Sequence, residues 1–361
     1  MPNPWIVARR LHASGLTGPR FGTPEEVVGW FGAVQSQDVP GSMWGVAQRM
    51  GPATVEADVQ AAIDEGRILR THTMRPTWHY VLPADIRWIL KLTSPRVQQL
   101  CGTYYRKRDL DAATLARGAD IIGRALDGGR HLTKQQLTVE LERAGYPTAD
   151  LRDAFTISYA ELEGLICSGP RAGRQHTYAL LDEWVPTAPE LDRDEALTEL
   201  TRRYFSSHGP AEARDFAWWS GLTIADAKAG LAMLDADAER ETINGRDWWW
   251  VPGAIGEVRS VPSPTIQLLP NFDEYLVSYR DHDVAFDQSL LGTRRLYDVF
   301  YVHVIVRDGL LIGGWRRSVD KREAVVRPDL LVELRGEDRA ALGRAVEAYG
   351  RFLGVAARLE G

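Results

Sequence analysis

The sequence predicts an α+β protein in which three helices followed by a β-hairpin occur three times, ahead of a β-rich C-terminal part. Three observations carry this. Helix-start signals and helical apolar spacing dominate the first two-thirds of the chain. Short strand pairs with turn residues between them punctuate those helices. After about residue 260 the texture changes to short, turn-bounded, β-rich runs. At 361 residues the chain is also too long for one small core, so several domains are expected.

In order along the chain, residues 4–13 read as a helix broken by Gly15 and Gly18. Thr23-Pro24-Glu25-Glu26 is a helix start, with threonine at the N-cap, proline at the first position and acids in the first turn. Asp38 is expected to cap the next helix, with Met43, Trp44 and Ala47 facing the core. Residues 54–65 form another helix, and Ile68-Leu69-Arg70 with residues 78–82 form a strand pair. The order recurs with helices near 114–127, 133–144 and 151–166 and a hairpin at 167–181. It recurs again with helices near 194–207, 210–219 and 223–235 and a hairpin turning at Asn244-Gly245. Helix–helix–helix–wing is the winged-helix variant of helix-turn-helix. Beyond 260, "PTIQLLP", "LYDVFYVHVIV", "GLLIGGW" and "EAVVRPDLLVEL" read as strands, with Asp308-Gly309 as a hairpin turn. Residues 337–354 close the chain as an amphipathic helix with Leu342, Val346, Tyr349 and Phe352 on one face. The expected divisions are 1–110, 111–190 and 191–260, one winged helix each, and 261–361, a β-rich domain with its terminal helix.

A hydrophobic content of 44% and a charged content of 25% match an ordinary globular protein. No apolar run approaches the roughly 18 residues of a membrane span, and MPNPWIVARR lacks the layout of a secretory signal. Cys101 and Cys167 are far apart and lack metal-ligand spacing, so neither a disulfide framework nor a zinc site is expected. The default compartment is a bacterial-type cytoplasm. A net charge of −6 argues weakly against a nucleic-acid partner. Its distribution softens the objection: residues 1–110 hold 13 basic and 9 acidic side chains, and the remainder holds 30 and 40. Only five basic residues are lysines, and arginine suits phosphate through its planar fork, although a GC-rich genome gives the same bias.

Familiar catalytic signatures are absent: no P-loop, no dinucleotide glycine fingerprint, no GxSxG elbow and no HExxH. Residues 71–79, THTMRPTWH, bring His72, Arg75 and His79 together more densely than a structural hairpin requires; the alternative is a wing whose arginine touches solvent. In "NFDEYLVSYRDH", residues 271–282, Asp273 and Glu274 flank aromatic positions; if Phe272, Leu276 and Tyr279 pack, the acids line one exposed side. Trp218-Trp219 and the WWW of 248–250 could be base-stacking platforms, but core packing is their expected role.

Gln35-Ser36-Gln37 is the most unusual stretch. In an extended segment both glutamines project to one face. Two amides can hold one water, each offering an acceptor and a donor. Such a pair positions a nucleophile but barely activates it, which suffices only for an excellent leaving group. A purine alkylated at N7 or N3 is one: it is already cationic, and its glycosidic bond breaks toward an oxocarbenium ion that amide dipoles can stabilise. On the residues alone, a loop or capping role remains the default.

With "AVQSQDVPGSMW", "ILRTHTMRPTWHYVLPADIRW", "LEGLICSGPRAGRQHTYALLDE", "RYFSSHGPAEARDFAWWSGLT" and "LLPNFDEYLVSYRDH" in view, nearly the whole chain resembles the AlkZ-like family of bacterial winged-helix DNA glycosylases, relatives of an azinomycin-resistance enzyme. The resemblance implies three tandem winged helices and a β-rich C-terminal part around a concave DNA-binding cleft. It implies a catalytic Gln-x-Gln, which falls on Gln35 and Gln37; the middle residue is usually apolar in the family and is Ser36 here. A sister group carries aspartate at the second position, unlike Gln37. The implied activity is monofunctional hydrolysis of bulky N7-alkylguanine adducts or interstrand crosslinks in double-stranded DNA, for repair or self-resistance, without cofactor or metal. No lysine stands beside the motif, which agrees with water as the nucleophile. His72, Arg75 and His79 would support the cleft, and Asp273 or Glu274 would help electrostatically. Arg70, Arg174, Arg316 and Arg317 are candidate DNA contacts, the last two beside Trp315 on a hairpin that could reach the minor groove. The expected form is a cytoplasmic monomer, nucleoid-associated when bound to DNA. The alternative is a non-catalytic winged-helix transcription regulator, which should be a symmetric dimer; an acidic protein-interaction scaffold is third.

Overall fold

The structure, a computed structural model, describes residues 2–17, 21–253, 263–292, 294 and 303–360. It is a mixed α+β chain. Helix α1 (Pro4–Ala13) starts on Asn3, whose side chain accepts from the amides of Trp5 and Ile6. A first group follows: α2 (Pro24–Phe31), β1 (Val34–Gln35), α3 (Val39–Ala47), α4 (Glu56–Asp64), β2 (Leu69–Thr73) and β3 (Thr77–Val81). Thr23 caps α2 through the Glu26 amide at 3.2 Å, as its sequence predicts. The three strands form one sheet in the order β1-β3-β2.

Residues 86–106, given no element from the sequence, form the 21-residue helix α5 (Ile86–Arg106). Pro95 lies inside it and removes a backbone hydrogen bond. A buried stripe at Ile86, Ile89, Leu90, Thr93, Val97, Cys101 and Tyr105 holds the helix nonetheless. The second group is α6 (Ala112–Leu126), β4 (Leu132–Thr133), α7 (Lys134–Arg143), α8 (Arg152–Leu162), β5 (Ile166–Ala172) and β6 (Gln175–Leu180), followed by the short α9 (Leu181–Trp184). The third is α10 (Arg193–Ser207), α11 (Ala213–Ser220), α12 (Ile224–Leu234) and the hairpin β7 (Glu239–Ile243) and β8 (Arg246–Trp250). Asn244 and Gly245 take φ of 53° and 74°, the two positive values their hairpin turn needs.

The C-terminal part comprises β9 (Ile266–Leu269), α13 (Glu274–Val277), β10 (His303–Arg307), β11 (Leu310–Val319), β12 (Glu323–Leu330), α14 (Gly336–Leu353) and β13 (Ala356–Leu359). Its sheet runs β13-β12-β11-β10-β9. The β12–β13 pairing is parallel, made possible by the crossover through α14. The strand expected from "LYDVFYVHVIV" is found over His303–Arg307, while residues 295–302 lie outside the described residues.

The groups are not beads on a string. Trp44 of α3 packs on Tyr349 and Phe352 of α14 at ring separations of 5.2 Å, and its indole donates to Leu268 O at 2.7 Å. Helix α1 packs with the C-terminal strands, where Ile6, Val7 and Leu11 share a core with Leu269, Val304 and Leu311. Trp315 is 1% exposed in the core that joins α14 to the first group, so it cannot reach a DNA groove; only Arg316 and the tip beyond it face outward. Among the described residues no helix is long and apolar enough to cross a membrane.

Candidate active site

Strand β1 ends at Gln35, which pairs with His79 across the antiparallel β1–β3 ladder. Its amide N–H donates to Glu274 Oε1 at 2.6 Å, and its side-chain Oε1 accepts from Arg75 Nη2 at 2.6 Å. Gln35 is therefore held from both sides and is only 5% exposed. Ser36 is buried, its amide bonded to Trp78 O at 2.8 Å, and its hydroxyl finds no partner among the described residues. The strand is over by Gln37, which is exposed in the bend before α3, so strand alternation does not itself align the two glutamines. Asp38 occupies the N-cap position of α3 but makes no side-chain cap bond; its carboxylate lies 3.8 Å from Arg317 and 4.0 Å from His303 instead.

Glu274 sits directly beneath Gln35. Its other oxygen accepts from Ser278 Oγ, from Trp219 Nε1 at 3.0 Å and from His208 Nε2 at 3.3 Å. Burial alone would raise its pKa, but the donors from His208, Ser278 and the Gln35 amide prevail and hold it near about 2. It is an ionised carboxylate at 2% exposure. The alternative in which Asp273 and Glu274 line an exposed side does not hold: both are buried. Asp273 caps α13 through the Tyr275 amide and grips Arg49 with two bonds of 2.8 and 2.9 Å. Gly45 permits this approach, because a Cβ there would stand 3.1 Å from the Asp273 carboxylate and 3.2 Å from Pro270.

Arg75 projects from the β2–β3 turn between Gln35 and the ring of Trp218, 5.9 Å from its guanidinium carbon. Burial pulls its pKa below the usual guanidinium value, and the Glu274 charge offsets only part of that. His79 is fully buried; its Nδ1 faces Thr77 O at 3.1 Å, so that nitrogen carries the proton. Burial, then the Arg75 charge, push its pKa down to about 3, leaving it neutral behind the site. His72 does not face Gln35. It bonds Glu161 of α8 at 2.5 Å and packs on Trp78, joining the first group to the second.

A cavity of about 220 Å³ opens beside Gln35, lined also by Arg75, Thr77, Trp218, Phe272 and His282. Trp219 is buried as expected, whereas Trp218 is 48% exposed and not core. Of the candidate DNA contacts, Arg174 and Arg316 are exposed. Arg70 is half-buried, bonded to Ser36 O at 3.2 Å and laid over Trp78, so the protein itself already engages its guanidinium. Arg317 bonds the Tyr349 hydroxyl at 2.5 Å. Sequence reasoning missed His208, Ser278 and Arg49 as supports of the site: His208 and Arg49 act through partners more than 60 residues away, in contacts only the fold creates, and Ser278 reaches Glu274 one turn back.

This arrangement places an oriented amide, an ionised carboxylate behind it and a guanidinium beside it at the edge of a cavity. The model of the DNA glycosylase AlkZ-like family matches residues 28–352. A solved structure, the DNA glycosylase AlkZ of Streptomyces sahachiroi, superposes with a TM-score of 0.79 at 22% identity, covering 100% of both chains. No curated protein matches the sequence.

Proposed function

We propose, from the premise that this chain belongs to the AlkZ-like DNA glycosylase family and is a DNA glycosylase, that it hydrolyses the glycosidic bond of cationic alkylpurines, including bulky N7-alkylguanines and crosslinks. The family settles the choice between an enzyme and a regulator for the enzyme. The observation that carries the substrate reading is the Gln35 amide, fixed by Arg75 at the rim of a cavity. A neutral amide cannot protonate a leaving group, so the leaving group must depart without that help.

In this reading Gln35 and Gln37 orient one water toward C1′ of the sugar. Arg75 occupies one lone pair of Gln35 Oε1, which leaves the second lone pair and the Nε2 donor for water and sugar. The water oxygen bonds to C1′ as the C–N bond breaks. The purine departs as a neutral base, the surplus proton goes to solvent, and an abasic site remains. The ionised Glu274, 2.6 Å from the Gln35 backbone N–H, supplies negative potential to the developing oxocarbenium ion. The three helix–hairpin groups are read as winged helices dividing near residues 110, 190 and 260 and lining a DNA-binding cleft with the C-terminal sheet. Arg174 and Arg316 are read as contacts to its phosphates, and the protein as a cytoplasmic monomer that acts on the chromosome.

The test is incubation with duplex DNA carrying N7-methylguanine or a bulky N7 adduct, with released base and abasic sites as the readout. Gln35→Ala and Gln37→Ala are each expected to lower kcat on the order of 10²–10³-fold. No release from either substrate refutes the substrate reading, and full activity in both variants refutes the site.

A further inference from the structure

The sequence WW at 218–219 divides its labour in the fold. Trp219 points inward and donates to Glu274, while Trp218 points out over the cavity beside Gln35. Trp218 is not a loose surface ring. Its indole N–H donates to Val277 O at 3.1 Å. The end of its helix is seated on the β2–β3 turn through Gly221, at φ 72°, where a Cβ would lie 1.8 Å from Met74 O. A half-exposed tryptophan held this firmly can stack on a ligand without losing rotamer freedom.

The rest of the lining suits a flat partner. Pro270, Phe272, Leu276 and Val277 give the cavity apolar walls. Arg75 and Thr77 also line it, and each has a buried polar atom behind the surface, Nε and Oγ1, with no hydrogen-bond partner among the described residues. Buried donors left in this state mark a place where a ligand edge or water completes them. At about 220 Å³ the space is smaller than the roughly 300–1,000 Å³ of drug-sized sites, so it takes one planar ring system and not a whole adduct.

We infer that this cavity binds a planar heteroaromatic or aromatic ring of the lesion, stacked on Trp218 with its edge toward Arg75 and Thr77, so that Trp218 sets which lesions are processed. The inference rests on the glycosylase reading above and adds a specificity-determining residue to it. The ring has two sources: the alkylated purine itself, or an aromatic group attached to it.

The experiment measures kcat and KM of wild type, Trp218→Ala and Trp218→Phe on duplexes carrying N7-methylguanine or N7-(9-anthracenylmethyl)guanine. Trp218→Ala is expected to raise KM for the anthracenyl substrate by about tenfold or more, and Trp218→Phe to recover most of it. An equal rise on both substrates identifies the purine as the stacked ring; a larger rise on the anthracenyl substrate identifies the attached group. Unchanged KM on both, or a loss that phenylalanine does not recover while thermal unfolding matches wild type, overturns the inference. Calorimetric binding of free 7-methylguanine and 9-anthracenemethanol to wild type and Trp218→Ala reads the cavity independently of turnover. If wild type releases no base, the substrate reading fails, and equal binding by the two proteins still refutes the stacking role.

Discussion

Replacing Glu274 by glutamine probes the charge beneath the candidate site. Four donors converge on this carboxylate: the Gln35 amide, Ser278 Oγ, Trp219 Nε1 and His208 Nε2. A glutamine offers one acceptor oxygen and an NH2 group, so at least one of those donors meets another donor in a fully buried place. The folded pKa lies near about 2, below the 4.5 of the free side chain. A depressed carboxylate pKa contributes stability that is complete above about 4.5 and is lost as pH falls toward 2. A difference of this size corresponds to on the order of 3 kcal/mol at neutral pH and about 1 kcal/mol at pH 3. Urea unfolding of wild type and Glu274→Gln at pH 7 and pH 3 measures it. The variant should be less stable by a few kcal/mol at pH 7, and the gap should shrink by about 2 kcal/mol at pH 3. Its kcat should fall on the order of tenfold or more, because the developing oxocarbenium ion loses the negative potential of the carboxylate. A variant as stable as wild type at pH 7, or a gap independent of pH, would refute the reasoning.

Asp273→Ala leaves Arg49 charged and buried without its two-bonded partner, and is expected to destabilise the protein by about 3–5 kcal/mol in the same unfolding assay. Ser36→Ala removes a buried hydroxyl that has no partner among the described residues; stability should hold or rise by about 1 kcal/mol, with turnover retained, and a clear loss of stability would show that the hydroxyl is bonded in solution. Duplexes carrying N7-methylguanine or unmodified guanine at one position should bind with similar Kd in gel-shift titration while differing by orders of magnitude in kcat. A large difference in Kd would place discrimination in binding.

Much of the fold is legible because its signals are local. Thr23-Pro24, the Asn244-Gly245 turn and the Leu342–Phe352 stripe each declare an element within a few residues, and each is found where expected. The long helix through Pro95 was not legible, since its stability comes from a buried stripe packed on distant residues and its proline argues locally for a break. The site divides the same way. Gln35 and Arg75 stand out by residue type, and the fold joins them. The roles of Glu274 and Trp218 depend on which side of a short segment turns inward, and sequence spacing did not decide that. Asp273 and Glu274 read as an exposed acidic pair because acids usually are; Arg49 and His208, from far along the chain, make their burial tolerable.

The charges around Gln35 set what kind of selectivity the proposed site can exert. A guanidinium bonded to the Gln35 side-chain amide would repel a cationic purine if it stood alone. It does not: the ionised Glu274 balances it, and burial keeps His79 neutral, with a pKa near about 3, and lowers that of His208. Asp273, the remaining acid at the cavity, is neutralised by Arg49. The wall facing the substrate therefore carries oriented dipoles and paired charges with little net charge. Such a wall does not draw in a cation in preference to a neutral base. It rewards the one event in which charge moves from purine to sugar, because the amide oxygen and the carboxylate behind it meet positive charge only when the glycosidic bond stretches. Discrimination against undamaged purines then follows from the strength of their glycosidic bond and appears in kcat. A glycosylase working this way tells damaged from undamaged purine without reading the charge of the base in the ground state, which leaves the choice among lesions to the ring seated on Trp218.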